Sequence, residues 1–251
     1  MSRRKQDPNE EVKQGVKDYE FQKSSKKKNS LSINEFNKNR VELTPKQHLL
    51  YKGIRNSILT AVHGPAGTSK TFTTCYTALA LLADKKVERI IITKPVQESG
   101  ENLGFLPGDM QEKLDPYKRS YYNTFVKIIG RQQTDFLFAS EEIIFEPLAY
   151  MRGSTYDNCV MLLDECQNAS VKQLMLWVTR LGRESKAVMM GDTSQYDVRK
   201  KDSGYLDFIG MVTGMDKLNL FEFSNEDIVR NKFLVEIANR YDKYRADNPN
   251  V

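Results

Sequence analysis

The chain has 251 residues, of which 39% are hydrophobic, and this length and composition predict one large domain plus a tail. Residues 1–40 are too polar for a signal peptide, and no apolar run reaches the roughly 18 residues that a membrane helix needs. Three scattered cysteines and two histidines argue against a disulfide framework, a structural zinc site and histidine-based nucleophilic catalysis, so we expect a cytoplasmic protein without membrane contacts.

The first 40 residues differ from the rest in charge. They hold 11 of the 38 basic and 6 of the 33 acidic side chains, so the net charge of +5 lies entirely in this segment. Apolar residues are sparse there and show no period, which predicts a flexible or loosely packed basic arm over residues 1–40. The arm is either a solvated tail or a phosphate-seeking segment for nucleic acid. Residues 41–251 form the predicted domain.

From residue 41 onward, short apolar runs alternate with helical patterns. Thr44 and Pro45 mark the start of a helix. A capping box of Ser224 and Asp227 predicts the start of the last helix, and residues 97–140, which contain no clear strand, are predicted as a helical insertion or lid. This alternation predicts an α/β fold with a mainly parallel sheet flanked by helices. The predicted strands are residues 58–63, 89–93, 142–145, 159–164, 186–191 and 218–223, and a further helix is predicted at 71–83.

A glycine-rich loop follows the first predicted strand and opens a predicted helix. It nearly matches GxxxxGK[ST], a motif whose backbone N–H groups wrap around a polyphosphate at a helix N-terminus. We expect Lys70 to contact the β- and γ-phosphates and Thr71 to coordinate Mg²⁺. Ser69 replaces the usual glycine, and a positive φ there would cost about 1 kcal/mol or more, whereas a helical φ would tolerate its Cβ. The predicted nucleotide-binding residues are Gly64, Pro65, Ala66, Gly67, Thr68, Ser69, Lys70 and Thr71.

Other polar residues follow predicted strands, at the sheet edge where ligands bind in open α/β folds. Asp164 is expected to hold Mg²⁺, and Glu165 to orient or deprotonate the attacking water; alone, the pair also fits a strand that ends at the surface. Gln195, after the strand at 186–191, is predicted to sense the γ-phosphate, although an ordinary turn would look the same. Gln47 has the donor and acceptor that an adenine edge requires. Together these residues predict hydrolysis of ATP or another nucleoside triphosphate.

Several segments, in order along the chain, resemble the PhoH family of P-loop ATPases, which are relatives of the superfamily 1 helicases. The stretches LGFLPGD at 103–109 and PLAYMRG at 147–153 are the most specific, and the resemblance covers about residues 44–245. Three positions depart from the family pattern: Ser69 stands for glycine, Lys94 for arginine and Cys166 for alanine. The segments that carry the resemblance are residues 64–71, 93–95, 100–109, 115–117, 146–153, 163–168, 179–182, 191–195 and 227–230.

The resemblance implies a single RecA-like core that uses Mg²⁺ and ATP. Since one core is all that the length permits, an arginine that stabilises γ-phosphate charge is expected from a neighbouring subunit, in a homo-oligomeric, hexameric ring. Arg230, placed just inside the last predicted helix, is the first candidate for this catalytic role. Arg180 and Arg152 are the others, and each of the three also fits an ordinary surface ion pair.

Nucleic-acid binding is a further expectation. Lys94 would meet a phosphate and Phe105 would stack on a base of single-stranded RNA or DNA, although Phe105 also fits a place in the core or between subunits. The leading function is an ATPase coupled to single-stranded nucleic-acid binding or to helicase activity. The alternative is a protein whose binding or assembly is switched by nucleotide, without unwinding. The sequence does not distinguish RNA from DNA.

Overall fold

Six parallel strands form one sheet at the centre of the structure, a computed structural model that describes residues 31, 36, 41–95, 110–192 and 203–248. Short 3₁₀ turns occupy Leu148–Met151, Cys166–Asn168 and Asn225–Asp227. In chain order the helices and strands are α1 (Pro45–Asn56), β1 (Leu59–His63), α2 (Lys70–Ala83), β2 (Arg89–Thr93), α3 (Met110–Ile129), α4 (Arg131–Ala139), β3 (Ile143–Phe145), β4 (Cys159–Leu163), α5 (Val171–Val178), β5 (Lys186–Gly191), α6 (Tyr205–Val212), β6 (Leu218–Glu222) and α7 (Lys232–Asp247).

The strand order in the sheet is β3-β2-β4-β5-β1-β6, and every neighbouring pair is parallel. The four central strands are almost continuously apolar because helices cover the sheet on both faces. All six carboxyl ends point the same way, so the residues that follow β1, β2, β4 and β5 meet at one edge of the sheet. This edge carries the candidate site.

The core has one layer on each face of the sheet. Successive side chains of a strand point to opposite faces, so in β4 Val160 and Leu162 pack with α1 to α4, whereas Met161 and Leu163 pack with α5 and α6. Trp177 of α5 is fully buried in the second layer. The arrangement confirms the predicted α/β fold, a mainly parallel sheet flanked by helices.

Most predicted elements lie where the sequence placed them. Each of the six strands differs from its prediction by no more than one residue at either end. The predicted insertion contains the two helices α3 and α4 and no strand in its described part, residues 110–140. Thr44 caps α1 as expected, with Pro45 at the first helical position.

The start of the last helix differs from the prediction. Ser224 and Asp227 do form a capping box, but it closes only the short 3₁₀ turn Asn225–Asp227. The long helix α7 begins at Lys232, where Asn231 caps it by accepting a hydrogen bond from the Phe233 backbone N–H at 2.9 Å. The prediction that Arg230 lies just inside this helix is therefore wrong, since Arg230 belongs to the connecting segment.

Two residues of the predicted basic arm belong to the core. Leu31 and Phe36 are buried, and the Phe36 ring lies 5.0 Å from that of Tyr76, between centroids. The Lys85 ammonium donates to the Leu31 carbonyl oxygen at 3.2 Å. A loosely packed arm does not describe these two positions, and the boundary at residue 40 stays a prediction. None of the helices in the described part of the chain is long and apolar enough to cross a bilayer.

Candidate active site

The glycine-rich loop joins β1 to α2 at the carboxyl edge of the sheet. Gly64 and Gly67 have φ values of 146° and 91°, in the region that favours glycine. A Cβ on Gly64 would lie 2.5 Å from the Phe223 carbonyl oxygen, so the loop also needs glycine for its close approach to the end of β6. The buried Thr68 closes the turn by donating from Oγ1 to the Pro65 carbonyl oxygen at 2.9 Å.

Of the two backbone conformations considered for Ser69, a helical φ and a positive φ, the structure shows the positive and strained one. Its φ is 67° and its ψ is 31°, which is the left-handed helical region. A Cβ in that region costs roughly 1–2 kcal/mol relative to the right-handed conformation. The serine therefore keeps the backbone conformation expected of the usual glycine and bears the steric cost of its side chain.

Lys70, at the start of α2, folds back over this loop. Its ammonium donates to the carbonyl oxygens of Gly64 and Pro65, the second at 2.9 Å. Burial lowers the Lys70 pKa, and the nearby charges of Asp192, Glu165 and Asp164 partly oppose that shift. The Lys70 ammonium thus lies at a buried position where positive charge is unfavourable, but where nearby carboxylates stabilise it.

Asp164 and Glu165 follow β4 directly. The Asp164 N–H donates to the Thr93 carbonyl oxygen at 3.0 Å, which continues the pairing of β4 with β2 beyond the strand. Burial raises the Asp164 pKa, and the negative charge of Glu165 raises it further, whereas Lys94 and the Tyr121 hydroxyl oppose the shift. Glu165 has a φ of 52°, an uncommon value for a residue with a Cβ. The acid pair is therefore held in an unfavourable environment, as is typical of functional sites.

Gln167 connects the acid pair with the end of β5. This side chain is 1% exposed; its Nε2 donates to Glu165 Oε2 at 2.7 Å, and its Oε1 accepts from the Asp192 backbone N–H at 3.0 Å. Sequence reasoning did not assign it a role, because a lone glutamine after an acid pair carries no periodic or charge signal. Its role becomes visible only when β4 and β5 are placed side by side.

Lys94 lies beside the acid pair. It follows β2, the strand next to β4, and its ammonium nitrogen lies 4.0 Å from Glu165 Oε1. Its side chain is 27% exposed. The residue predicted to meet a nucleic-acid phosphate therefore contacts the residue predicted to act on the attacking water.

Arg230 reaches the same edge from the segment after β6. The neighbouring Val229 backbone N–H donates to the Gly67 carbonyl oxygen at 3.1 Å, which joins this segment to the glycine-rich loop. A Cβ on Gly67 would lie 3.5 Å from the Arg230 Cβ. Arg230 therefore lines the cleft of its own chain, and its predicted role in a neighbouring subunit stays a prediction.

A cleft of about 490 Å³ is lined by Ser69, Lys70, Asp164, Glu165 and Arg230, among others. Its floor is the glycine-rich loop with Lys70 and Thr71, and helix α3 contributes Thr124 and Lys127, two residues that the sequence did not suggest. Thr71 and Asp164 both line the cleft, and hydroxyl and carboxylate oxygens are hard donors that suit Mg²⁺. No cluster of three or more His, Cys, Asp and Glu side chains that could form an all-protein metal site occurs among the described residues.

The remaining predicted residues do not line this cleft or were not described. Gln47 is 6% exposed, and its Oε1 accepts from the Thr44 backbone N–H at 3.0 Å in the capping box of α1. Arg180 donates to the carbonyl oxygens of Leu176 and Ser154, away from the cleft. Arg152 is exposed and does not line it either. Gln195 and Phe105 lie outside the described residues, so their roles stay predictions.

A parallel sheet with a phosphate-binding loop after β1 and an acid pair after β4 defines a P-loop nucleoside triphosphatase fold. A family model described as "PhoH-like protein" matches residues 6–242, and the chain belongs to that family.

Relatives of known sequence agree with this assignment. The chain is 40% identical over 190 residues to a PhoH-like protein of Bacillus subtilis, covering 75% of this chain and 59% of the relative. It is 35% identical over 193 residues to Protein PhoH of Escherichia coli K12, covering 76% of this chain and 54% of that protein. The chain thus spans little more than half the length of these relatives.

Solved structures show a more distant likeness. The SWI2/SNF2 ATPase core of Sulfolobus solfataricus, solved in complex with double-stranded DNA, has a TM-score of 0.44 and 13% identity over 74% of this chain and 45% of its own. The Pif1 helicase of Candida albicans has a TM-score of 0.42 and 14% identity over 80% and 44%.

Proposed function

We propose that this protein is a Mg²⁺-dependent ATPase whose active site is the cleft at the carboxyl edge of the sheet. The observation that carries the proposal is the convergence of Lys70, Asp164 and Glu165, which come from two separate strand ends, on one cleft that also contains the start of α2. A phosphate-binding loop by itself would support binding only. A carboxylate beside it supplies the group that a hydrolytic reaction needs to orient water.

Each residue has a role that follows from its position. The N–H groups at the start of α2 and the Lys70 ammonium hold the β- and γ-phosphates, and Thr71 and Asp164 hold the metal ion. Bound Mg²⁺ would neutralise phosphate charge as it develops. Glu165 orients the attacking water, and Arg230 offsets negative charge at the γ-phosphate from within the same chain. Gln195 keeps its predicted contact with the γ-phosphate.

The test is ATP turnover by the full chain and by Lys70→Ala. Loss of the ammonium should lower turnover by at least about 10²-fold, the scale of a preorganised group that stabilises transition-state charge. Lys243→Ala is the control, because Lys243 is an exposed lysine on α7. Turnover that survives Lys70→Ala would overturn the assignment of the site.

Single-stranded RNA or DNA is the proposed partner, and Lys94 and Phe105 are its proposed contacts. The Lys94 ammonium lies 4.0 Å from Glu165, so the two side chains can be coupled. A nucleic-acid phosphate that attracts Lys94 would weaken the interaction between Lys94 and Glu165 and so affect ATP hydrolysis. Lys94→Ala should then reduce the ratio of nucleic-acid-stimulated to basal ATP turnover. A ratio equal to that of the wild type would remove Lys94 from this role.

A homo-oligomeric ring is proposed from the family resemblance. Three large apolar side chains, Phe233, Ile237 and Tyr241, follow one face of α7 and are 47–65% exposed, which favours a further copy of the chain as their partner. The molar mass of the full chain by light scattering, with and without ATP, tests this. A monomer under both conditions would refute it.

The second candidate is a nucleotide-switched binding or assembly protein. Only one core is described within the chain, and strand separation would require several copies to act together. ATP turnover stimulated by single-stranded nucleic acid, without separation of duplexes, would favour this reading over a helicase.

A further inference from the structure

Residues 147–153, one of the two most specific stretches of the family resemblance, have no part in the proposed chemistry. They follow β3 at the carboxyl edge of the sheet, where the Glu146 backbone N–H donates to the Ile92 carbonyl oxygen at 2.9 Å and continues the pairing of β3 with β2. The stretch then forms the 3₁₀ turn Leu148–Met151. None of these residues, all of which the structure describes, lines the nucleotide cleft. The turn therefore lies at the same sheet edge as the active site but outside it.

Met151 fixes this turn beside the segment that follows β2. Its side chain is fully buried, and its Sδ accepts a hydrogen bond from the Thr93 hydroxyl at 3.3 Å. Thr93 ends β2 and directly precedes Lys94. The turn and Lys94 are therefore neighbours in space, although Thr93 and Met151 are 58 residues apart along the chain.

A second set of contacts holds the end of the turn. The Ser154 N–H donates to the Met151 carbonyl oxygen at 3.1 Å, and the Ser154 carbonyl oxygen accepts from Arg180 Nη1 at 3.1 Å. Arg180 is itself held by the Leu176 carbonyl oxygen, which lies 3.2 Å from its Nε. The turn is thus attached to β2 on one side and to the residues that follow α5 on the other, so the position of its backbone is well defined.

Tyr150 and Arg152 flank the buried Met151 and face solvent. The Tyr150 side chain is 54% exposed, and Arg152 is exposed as well. Neither side chain has a hydrogen bond or an ion pair with another residue in the described part of the chain. The exposed ring contributes little to the core, and no carboxylate neutralises the guanidinium. Together with Lys94 they form an aromatic and basic surface, which we call the β2–β3 surface.

We propose that the β2–β3 surface binds single-stranded nucleic acid: the Tyr150 ring stacks on an unpaired base, and Arg152 binds a backbone phosphate. This inference rests on the proposed nucleic-acid partner and gives it a site on described residues. An aromatic face beside cations suits a single strand, because every base has a face for stacking and every nucleotide carries a phosphate. The guanidinium fork matches the oxygens of a phosphate, and the two cations favour a polyanion over a protein partner.

Tyr150→Ala and Arg152→Ala test the two contacts separately. The affinity of the full chain for a fluorescent single-stranded oligonucleotide, made as RNA and as DNA of one sequence, is measured by fluorescence anisotropy at several salt concentrations. Loss of stacking in Tyr150→Ala should weaken binding on the order of tenfold and leave the salt dependence unchanged. Loss of one phosphate contact in Arg152→Ala should reduce the slope of log affinity against log salt by about 0.7.

Tyr150→Phe and Arg89→Ala are the matched controls. Tyr150→Phe keeps the ring and should bind as the wild type does. Arg89 is exposed at the amino end of β2, at the opposite edge of the sheet, so its substitution removes the same charge away from the β2–β3 surface. It should leave the salt slope unchanged. Tyr150→Ala and Arg152→Ala should keep the wild-type melting temperature, because both side chains are exposed.

A duplex of the same sequence tests the stacking contact most strictly. Its bases are stacked on one another and offer no free face to Tyr150. Tyr150→Ala should therefore weaken binding to the single strand and not to the duplex. An equal loss for both would refute stacking by Tyr150.

The outcomes separate this inference from the proposal on which it rests. A wild type that binds neither single-stranded RNA nor single-stranded DNA would overturn the nucleic-acid partner and the surface together, whether or not the protein hydrolyses ATP. Wild-type binding that Lys94→Ala weakens, but Tyr150→Ala and Arg152→Ala do not, would overturn the role of the turn alone. A loss confined to RNA or to DNA would support the surface and identify its ligand.

Discussion

Gln167 holds the carboxylate of Glu165 through a 2.7 Å hydrogen bond from Nε2 to Oε2. The same side chain accepts from the Asp192 backbone N–H, so one buried amide joins the ends of β4 and β5 at the cleft. A shift of Asp192 would therefore be transmitted to the residue that is proposed to orient water.

Gln167→Ala should lower kcat while leaving the KM for ATP nearly unchanged. Loss of a buried hydrogen bond costs about 1–2 kcal/mol, which corresponds to roughly 5–30-fold in rate if it acts in the transition state. Steady-state kinetics of the purified variant measure this. Gln173→Ala is the control, because Gln173 makes a similar pair of bonds with Ser170 in the cap of α5, away from the cleft. Equal kinetics of the two variants would contradict the role of Gln167.

Arg230 should act in the chain that carries it. Arg230→Ala is expected to lower kcat by on the order of 10²-fold or more, the scale of an arginine that offsets phosphate charge. A mixture of Arg230→Ala with Lys70→Ala subunits should then show no more activity than the two separate proteins together. Activity above that sum would show that the arginine acts between subunits. Arg240→Ala, which breaks a surface pair with Glu236, should keep wild-type kinetics.

Ser69→Gly should stabilise the protein. The φ of 67° suits glycine, and relief of this strain should outweigh the extra flexibility of the unfolded chain by up to about 1 kcal/mol, or a rise in melting temperature of up to roughly 2–4 °C for a domain of this size. Calorimetry of the nucleotide-free protein measures the change. Ser69→Ala keeps the Cβ and should bring no gain, so an equal rise in both variants would point to the hydroxyl instead of the backbone.

Asp164→Asn should stabilise the nucleotide-free protein and abolish its activity. Burial raises the Asp164 pKa above its unfolded value, so at neutral pH the ionised carboxylate costs stability, and this cost disappears as the pH falls through the folded pKa. In EDTA we expect a melting temperature a few degrees above that of the wild type at pH 7–8, since about 1 kcal/mol corresponds to roughly 2–4 °C at this size. The difference should narrow as the pH falls through the folded pKa of Asp164.

Asp84→Asn provides the opposite expectation. Its carboxylate forms a 2.6 Å bridge to Arg55, so its loss should lower the melting temperature. A fall in melting temperature for both variants at pH 7–8 would contradict the picture of Asp164 as a carboxylate held at a cost.

Local patterns were enough to predict the strands that form the sheet. The runs at 89–93 and 186–191 match β2 and β5 to the residue, because β-branched and apolar side chains buried on both faces leave a clear signal. The phosphate-binding loop and the acid pair were predicted for the same reason, since each has a local motif. The backbone conformation of Ser69 could not be predicted, because a serine is compatible with both a helical and a positive φ.

Features that depend on neighbours in space were missed or misplaced. Gln167 gains its role from β5, which is distant in sequence. The capping box at Ser224 is present, but it closes only a single turn. Because the last helix starts later than predicted, Arg230 lies in the connecting segment and lines the cleft. Gln47 had a local signal for adenine binding, but its side-chain oxygen already accepts a hydrogen bond in the cap of α1.

The most direct test of the account is release of phosphate from Mg²⁺-ATP by wild type and Glu165→Gln, with nucleotide binding measured in parallel. The substitution keeps the shape of the side chain but removes its negative charge. We predict that Glu165→Gln binds ATP as the wild type does and loses at least about 10²-fold in turnover, as expected for the group that acts on the attacking water. Turnover within twofold of the wild type would contradict the proposed site, as would a wild type that binds ATP and does not hydrolyse it.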